Sequence, residues 1–275
     1  MYVKKPHEIE LIIEGGRLMG DVLDRLSGMI KPGVSAWEID QAAEAMIRAA
    51  GGAPAFKGYR GRKSDPPFPS TLCFSVNEEL VHGIATKEKI VKDGDLVSLD
   101  IGMEYPAGQN SKAKNQKSGR GYFTDTALTV AVGKVPEKIQ KLLRVTEQAL
   151  EAGIEASRPG RTVADIGRAI EQYVYQQGRY GIVRDLVGHG VGHAVHEEPR
   201  VPNYYDEDLE TWILRPGVVI AIEPMISLGS YQVKVARDGW TISTADQSLN
   251  AHFEHTIVIT EDGPLVATRR PSERP

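Results

Sequence analysis

The chain has a single cysteine, Cys73, so no internal disulfide can form and its stability must come from packing. No segment approaches the length of apolar residues that a membrane span needs, and the start, Met1 to Pro6, lacks the apolar run of a signal peptide. Cytoplasmic residence without a membrane partner is the expectation. Charge of one sign is not in excess: the net charge is −4, which gives no reason for global nucleic-acid affinity. There is no low-complexity tract and no linker dividing the 275 residues, which reads as one domain, 1–275, large enough to bury a sizeable core.

What the chain does have is an internal echo. Lys31 to Ile39 (KPGVSAWEI) returns as Arg158 to Ile166 (RPGRTVADI), in both cases a loop followed by a capping-box helix start, Ser35 with Glu38 and Thr162 with Asp165. Gly94 to Asp100 is echoed by Gly217 to Glu223, and Asp125 to Val130 by Glu254 to Ile259. The offsets are 127, 123 and 129 residues, too long for a solenoid and suited to two similar halves, about 6–133 and 136–268. Helices are expected near Pro6–Met29, Ala36–Ala50, Glu137–Ala156 and Val163–Gln177, with strands after each pair, an α+β pattern. The polar, proline-bearing tail from Arg269 to Pro275 reads as a frayed end.

The echoed segments place four acids at two pairs of related positions. Period-two alternation sets Ser98 beside Asp100, Ala127 and Thr129 beside Asp125, Ala221 beside Glu223 and Thr256 beside Glu254, while the opposite faces are apolar. A sheet whose back packs on helices then gathers four carboxylates on its other face. Such a set cannot stay ionised without cations, and two divalent ions supply the matching charge. The blander alternative, four acids each ending a strand at the surface beside a lysine, fits one acid better than four related ones.

Six of the seven histidines fall in or near motif-like clusters instead of scattering. Three lie in the run from Gly188 to Glu197, as His189, His193 and His196, one is His82, and His252 and His255 flank Glu254. Gly190 and Gly192 oppose a helical zinc motif across His189 and His193, and no Glu follows His189. An extended segment is expected, with His189, Val191 and His193 on one side and His196 on the other unless the strand turns or bulges.

These residues together resemble the type I methionine aminopeptidases: His82, Leu99-Asp100-Ile101-Gly102, Thr124-Asp125-Thr126, Gly188-His189-Gly190, the His196 to Pro199 run, Ile222-Glu223-Pro224-Met225 and Phe253-Glu254-His255-Thr256. The likeness runs from about Lys5 to Thr268. It implies the pita-bread fold, an α+β architecture of two pseudo-symmetric halves with helices packed on a curved, mainly antiparallel sheet. It implies metal-dependent removal of the initiator methionine from proteins and peptides with a small second residue. It makes Asp100, Asp125, His189, Glu223 and Glu254 the ligands of two divalent ions, with Asp125 and Glu254 shared, Asp100 on one and His189 with Glu223 on the other. One imidazole among four carboxylates leaves cobalt, manganese, iron and zinc all plausible as the metal. By the same resemblance Glu223 exchanges the proton of the attacking water, His82 and His196 hold the scissile amide, and Phe68, Cys73, Trp240 and Val195 shape the methionine pocket. Relatives usually carry a larger side chain where Val195 stands, with Phe68 or Tyr59 able to fill the space. Cys73 as a nucleophile would leave the carboxylate set without purpose.

Two basic stretches depart from the family pattern, Lys57 to Lys63 and the insertion Tyr105 to Gly121, the latter with four basic residues and no acid. Solvated loops are the plainer reading and transient contact with the ribosome the sharper one. The expected partners are nascent polypeptide amino termini, met by a monomer. Two other classes compete: an X-Pro aminopeptidase or dipeptidase, which usually carries an extra amino-terminal domain, and a non-enzymatic binding module, which would have lost metal ligands. All five candidates are present.

Overall fold

The computed structural model describes residues 3–61, 65–108 and 121–273. Four long helices form: α1 (Pro6–Ser27), α2 (Ala36–Ala49), α3 (Glu137–Ala156) and α4 (Val163–Gln177). The expected helices thus appear with their ends displaced by at most two residues. The reason is local: the side chains of Ser35 and Thr162 accept from the backbone N–H three residues on, and Glu38 and Asp165 return the bond.

The strands in chain order are β1 (Ala53–Pro54), β2 (Leu72–Val76), β3 (Glu79–Val81), β4 (Leu96–Tyr105), β5 (Tyr122–Ala131), β6 (Gly181–Ile182), β7 (Gly188–Gly190), β8 (Glu197–Val201), β9 (Val219–Ile222), β10 (Met225–Ser227), β11 (Val233–Val235), β12 (Ile242–Thr244), β13 (Asn250–His252), β14 (Glu254–Thr260) and β15 (Gly263–Val266). The main sheet runs β1-β4-β5-β14-β9-β7-β8, with β2 also on β4 and β15 on β14. Pairing is antiparallel throughout the described residues. Two three-stranded sheets, β13-β10-β6 and β11-β12-β3, complete the walls.

The apolar faces predicted from alternation are buried together. Val97, Leu99, Ile101, Leu128, Val218, Ile220, Ile222, Ile257 and Ile259 join α1 to α4 side chains, Leu23, Ile39, Leu142 and Ile170 among them, in one core. α1 lies unusually close to the turn that follows β15: a methyl group at Gly16 or Gly20 would meet the backbone of Ala267 or Thr268 at 2.8 Å.

The same local bonds occur at both echoed loops. Gly33 donates to the Val91 carbonyl and Gly160 to that of Leu214, while Ser35 bridges Ile90 and Thr162 bridges Ile213. Gly33 and Gly160 both have positive φ, 91° and 84°, as do Gly94 and Gly217 at 88° and 90°.

The tail is docked, contrary to the expectation of a frayed end. Arg269 pairs with Glu151 at 2.5 Å, Arg270 is buried beside Glu273, and Ser272 donates to Asp24. Its charges are partnered, so burying it leaves none stranded. Residues 274 and 275 lie outside the described residues.

Candidate metal centre and active site

Strand register brings the acids together. Ala127 on β5 faces Asp100 on β4 and Glu254 on β14, so a row crosses three strands with the small alanine between two acids. Asp125 stands two residues along β5 on the same face. Glu223 follows β9 one step beyond the Ile222–His255 pair, and His189 on β7 faces Ala221, two residues before Glu223. Thr256 clamps the seam: its hydroxyl donates to the Asp125 carbonyl at 2.8 Å and accepts the Asp125 N–H at 2.9 Å.

Asp125, His189 and Glu254 each offer a ligand atom within 4.8 Å of the others. His189 Nε2 lies 3.6 Å from Glu223 Oε1 and 3.9 Å from Asp125 Oδ2. Its Nδ1 is 2.9 Å from the Gly190 carbonyl, which fixes the tautomer that turns the Nε2 lone pair toward the acids. Burial and then mutual repulsion raise all four carboxyls, Asp100 to about 7 and Asp125, Glu223 and Glu254 well above the usual range. Burial also drops His189 to about 3, leaving it neutral and able to ligate. Oε1 of Glu254 is buried without a hydrogen-bond partner. An orphaned carboxylate oxygen amid repelling acids and a lone pair is what a cation site requires. The donor set therefore fits divalent metal ions.

A cavity of about 380 Å³ opens beside this cluster, lined by the acids, His82, His189 and His196 and walled by Phe56, Tyr59, Phe68, Cys73, Met225 and Trp240. Phe68 and Trp240 meet edge to face at 5.3 Å. His82 follows β3 in the left-handed region, φ 58°, and burial with the nearby His196 lowers it to about 4. The thiol of Cys73, opposite Asp100, is raised by burial and by that acid, so it stays protonated and unsuited to attack. Val195 packs with Phe56, Phe68 and Cys73 but is not among the residues lining the cavity.

The histidine-rich run differs from the extended expectation. The β7–β8 register shifts after His189, and Gly192 turns at φ 129°. His196 consequently returns to the site, its ring 4.4 Å from that of His189. His193 turns away, its Nε2 3.2 Å from Glu8. His193 thus does not share the side of His189.

Two further residues emerge. Tyr59 bonds His196, and His252, 1% exposed with neither ring nitrogen hydrogen-bonded, lies 3.6 Å from Glu223 Oε2. The clustering of His252 near Glu254 was a signal in the sequence; its approach to Glu223 comes from the Met225–His252 pair of β10 and β13. Of the basic stretches, Lys57 pairs with Glu44 at 2.6 Å and Arg60 bonds the Asp65 carbonyl, while 62–63 and most of 105–121, namely 109–120, lie outside the described residues. Among the described residues no helix is long and apolar enough to cross a membrane.

Residues 10–261 match the model of Metallopeptidase family M24. The chain is 42% identical over 266 residues to methionine aminopeptidase 1 of Bacillus subtilis, covering 97% of this chain and 98% of that one. It is 43% identical over 262 residues to the methionine aminopeptidase of Aquifex aeolicus, covering 95% and 96%. The crystal structure of methionine aminopeptidase from Thermotoga maritima superposes with a TM-score of 0.86 at 39% identity, covering 98% of this chain and 99% of that one. An Xaa-Pro dipeptidase from Bacillus anthracis, TM-score 0.73 at 22% identity, shares the fold over 98% of this chain but only 62% of its own.

Proposed function

The chain belongs to Metallopeptidase family M24, with its pita-bread fold, and from that premise we infer that it is a methionyl aminopeptidase, hydrolysing the first peptide bond to release an amino-terminal methionine. Its substrates are the amino termini of nascent proteins, and peptides whose second residue is small. The observation that carries the reading is the convergence of Asp125, His189 and Glu254 at the edge of a cavity that also holds His82 and His196 and is walled by Phe68, Cys73 and Trp240.

Asp125 and Glu254 would be shared by two divalent ions, with Asp100 on one and His189 and Glu223 on the other; cobalt, manganese, iron and zinc all suit this donor set. When bound, the ions supply Lewis acidity toward the scissile carbonyl and the attacking water. Glu223 takes the proton of that water and returns it to the leaving amine. His82 and His196, neutral at pH 7, hold the amide and donate toward its oxygen. Asp100 meets the free amine of the substrate, restricting cleavage to the first bond. Phe68, Cys73 and Trp240 enclose the methionine side chain, with Val195 behind them.

The whole chain acts as one catalytic domain of two half-repeats, 6–133 and 136–268, supported by the recurring bonds at Gly33 and Gly160. It works as a monomer in the cytoplasm, and the basic segments 57–63 and 105–121 offer a transient ribosome contact. The test is a metal-reconstituted assay with Met-Ala-Ser, an X-Pro peptide and amino-terminally acetylated Met-Ala-Ser in parallel. Cleavage of the first alone is expected; release from the X-Pro peptide instead would move the chain to the dipeptidase class.

A further inference from the structure

The loop that returns His196 to the cavity is held by a charge remote from the reacting groups in sequence. Lys4 precedes α1 with its side chain 0% exposed, and its Nζ lies 2.8 Å from Oε2 of Glu197. The other oxygen of Glu197 accepts the backbone N–H of His193 and, at 3.0 Å, that of Ala194. Gly192 bends around the lysine stem: a Cβ there would stand 2.6 Å from Lys4 Cε. Lys4 itself is fixed by its own N–H, which donates to the Gly217 carbonyl at 2.7 Å. His196 therefore sits between two points of one anchored carboxylate, the N–H groups at 193–194 and the Glu197 side chain.

A buried ion pair is a poor device for stability alone, because an apolar pair of similar volume often does as well. What it adds here is direction. Residues 191–196 lie between β7 and β8 and form no strand, and Glu197 supplies acceptors that no ladder provides. The Glu8–His193 contact, whose imidazole is 42% exposed, is too solvated on that side to do this by itself.

We propose that Lys4 is a positioning residue for His196, its buried ion pair with Glu197 fixing residues 192–197 so that the His196 ring faces His189 at the cavity. The inference rests on the role given above to His196. Misplacing a substrate-binding group by about 1 Å costs on the order of a hundredfold in rate.

A double-mutant cycle tests it, using Lys4→Met, His196→Ala and the pair in metal-reconstituted full-length protein on Met-Ala-Ser, with kcat, KM and metal stoichiometry measured. Lys4→Met is expected to lower kcat by roughly 10- to 100-fold while metal content stays normal, Lys4→Arg to recover most of it, and Lys4→Met to add nothing once His196 is alanine. An equal loss with and without His196, or no loss at all, would overturn the proposal. If His196→Ala alone leaves kcat unchanged, the role of His196 falls and this inference with it. Should Lys4→Met not fold, Glu197→Gln runs the same cycle, keeping the volume while weakening both attachments.

Discussion

The phenol oxygen of Tyr59 lies 2.9 Å from Nδ1 of His196, the two rings meeting at 63° with centroids 5.2 Å apart. Burial raises the Tyr59 phenol and lowers His196, so near pH 7 a protonated phenol faces a neutral imidazole. The role proposed for His196 requires the tautomer in which the phenol donates to Nδ1 and the imidazole proton sits on Nε2, where it can be given to a carbonyl oxygen. Tyr59→Phe removes that choice of tautomer while keeping the ring. A net hydrogen bond is worth about 0.5–1.5 kcal/mol, so kcat/KM should fall roughly 2- to 10-fold with metal content intact. Steady-state kinetics beside metal analysis checks this, and unchanged kinetics would show that Tyr59 does not set the tautomer.

Asp125→Ala should abolish turnover and most metal binding, because a carboxylate shared by two cations neutralises both. The strand should survive the change, since the Thr256 hydroxyl grips the backbone N–H and carbonyl of residue 125, not its side chain. Metal-free thermal stability should not fall, one of four repelling acids having been removed. Metal stoichiometry, turnover and Tm measured on one preparation separate these outcomes. Full activity with normal stoichiometry would refute the shared-ligand assignment.

Metal binding should release protons, with a defined pH trend. In the metal-free protein Asp100 titrates at about 7 and the other three acids are also raised, above ordinary carboxylates near 4 in the unfolded chain. Between those limits the folded state binds more protons than the unfolded one, so metal-free stability falls as pH rises from about 4 to about 7. Cations occupy the site in place of protons, and the gain in Tm on adding Mn(II) or Co(II) should therefore grow across that window. Thermal scans at fixed metal excess from pH 5 to 8 measure it. A constant gain would mean that the acids are already ionised in the free protein.

The parts of the fold read from the sequence are those whose causes are local. Capping boxes at Ser35 and Thr162 set helix starts within a few residues of chain, and alternation around Asp100, Asp125, Glu223 and Glu254 set their common face. The path of residues 191–196 was not legible, because it depends on Lys4, 193 positions from its partner Glu197. Nothing near His193 announces that Gly192 will wrap a buried lysine. The docked tail is the same case: polar composition suggests solvent, but Arg269 meets Glu151 from α3, 118 residues away. His252 stood out by proximity to Glu254, yet its approach to Glu223 needs the register of β10 against β13.

Val195 offers the sharpest check on how the pocket is built. A wall residue replaced by a larger one would shrink the cavity directly, but Val195 is 7% exposed and packs behind Phe56, Phe68 and Cys73 rather than lining the space. Val195→Phe must find room for several more carbons among buried neighbours, which typically costs about 1–3 kcal/mol of stability. The strain has an outlet toward the cavity, through Phe68 and Cys73, so the pocket should narrow at second hand. Ethionine as first residue should then lose more in kcat/KM than methionine, by roughly the 10-fold or more that one methylene commands in an apolar site. Comparing methionine, ethionine and leucine first residues in the native chain and in Val195→Phe, alongside Tm, decides it. A lower Tm with unchanged ratios would mean that Val195 supports the packing behind the pocket without shaping its selectivity.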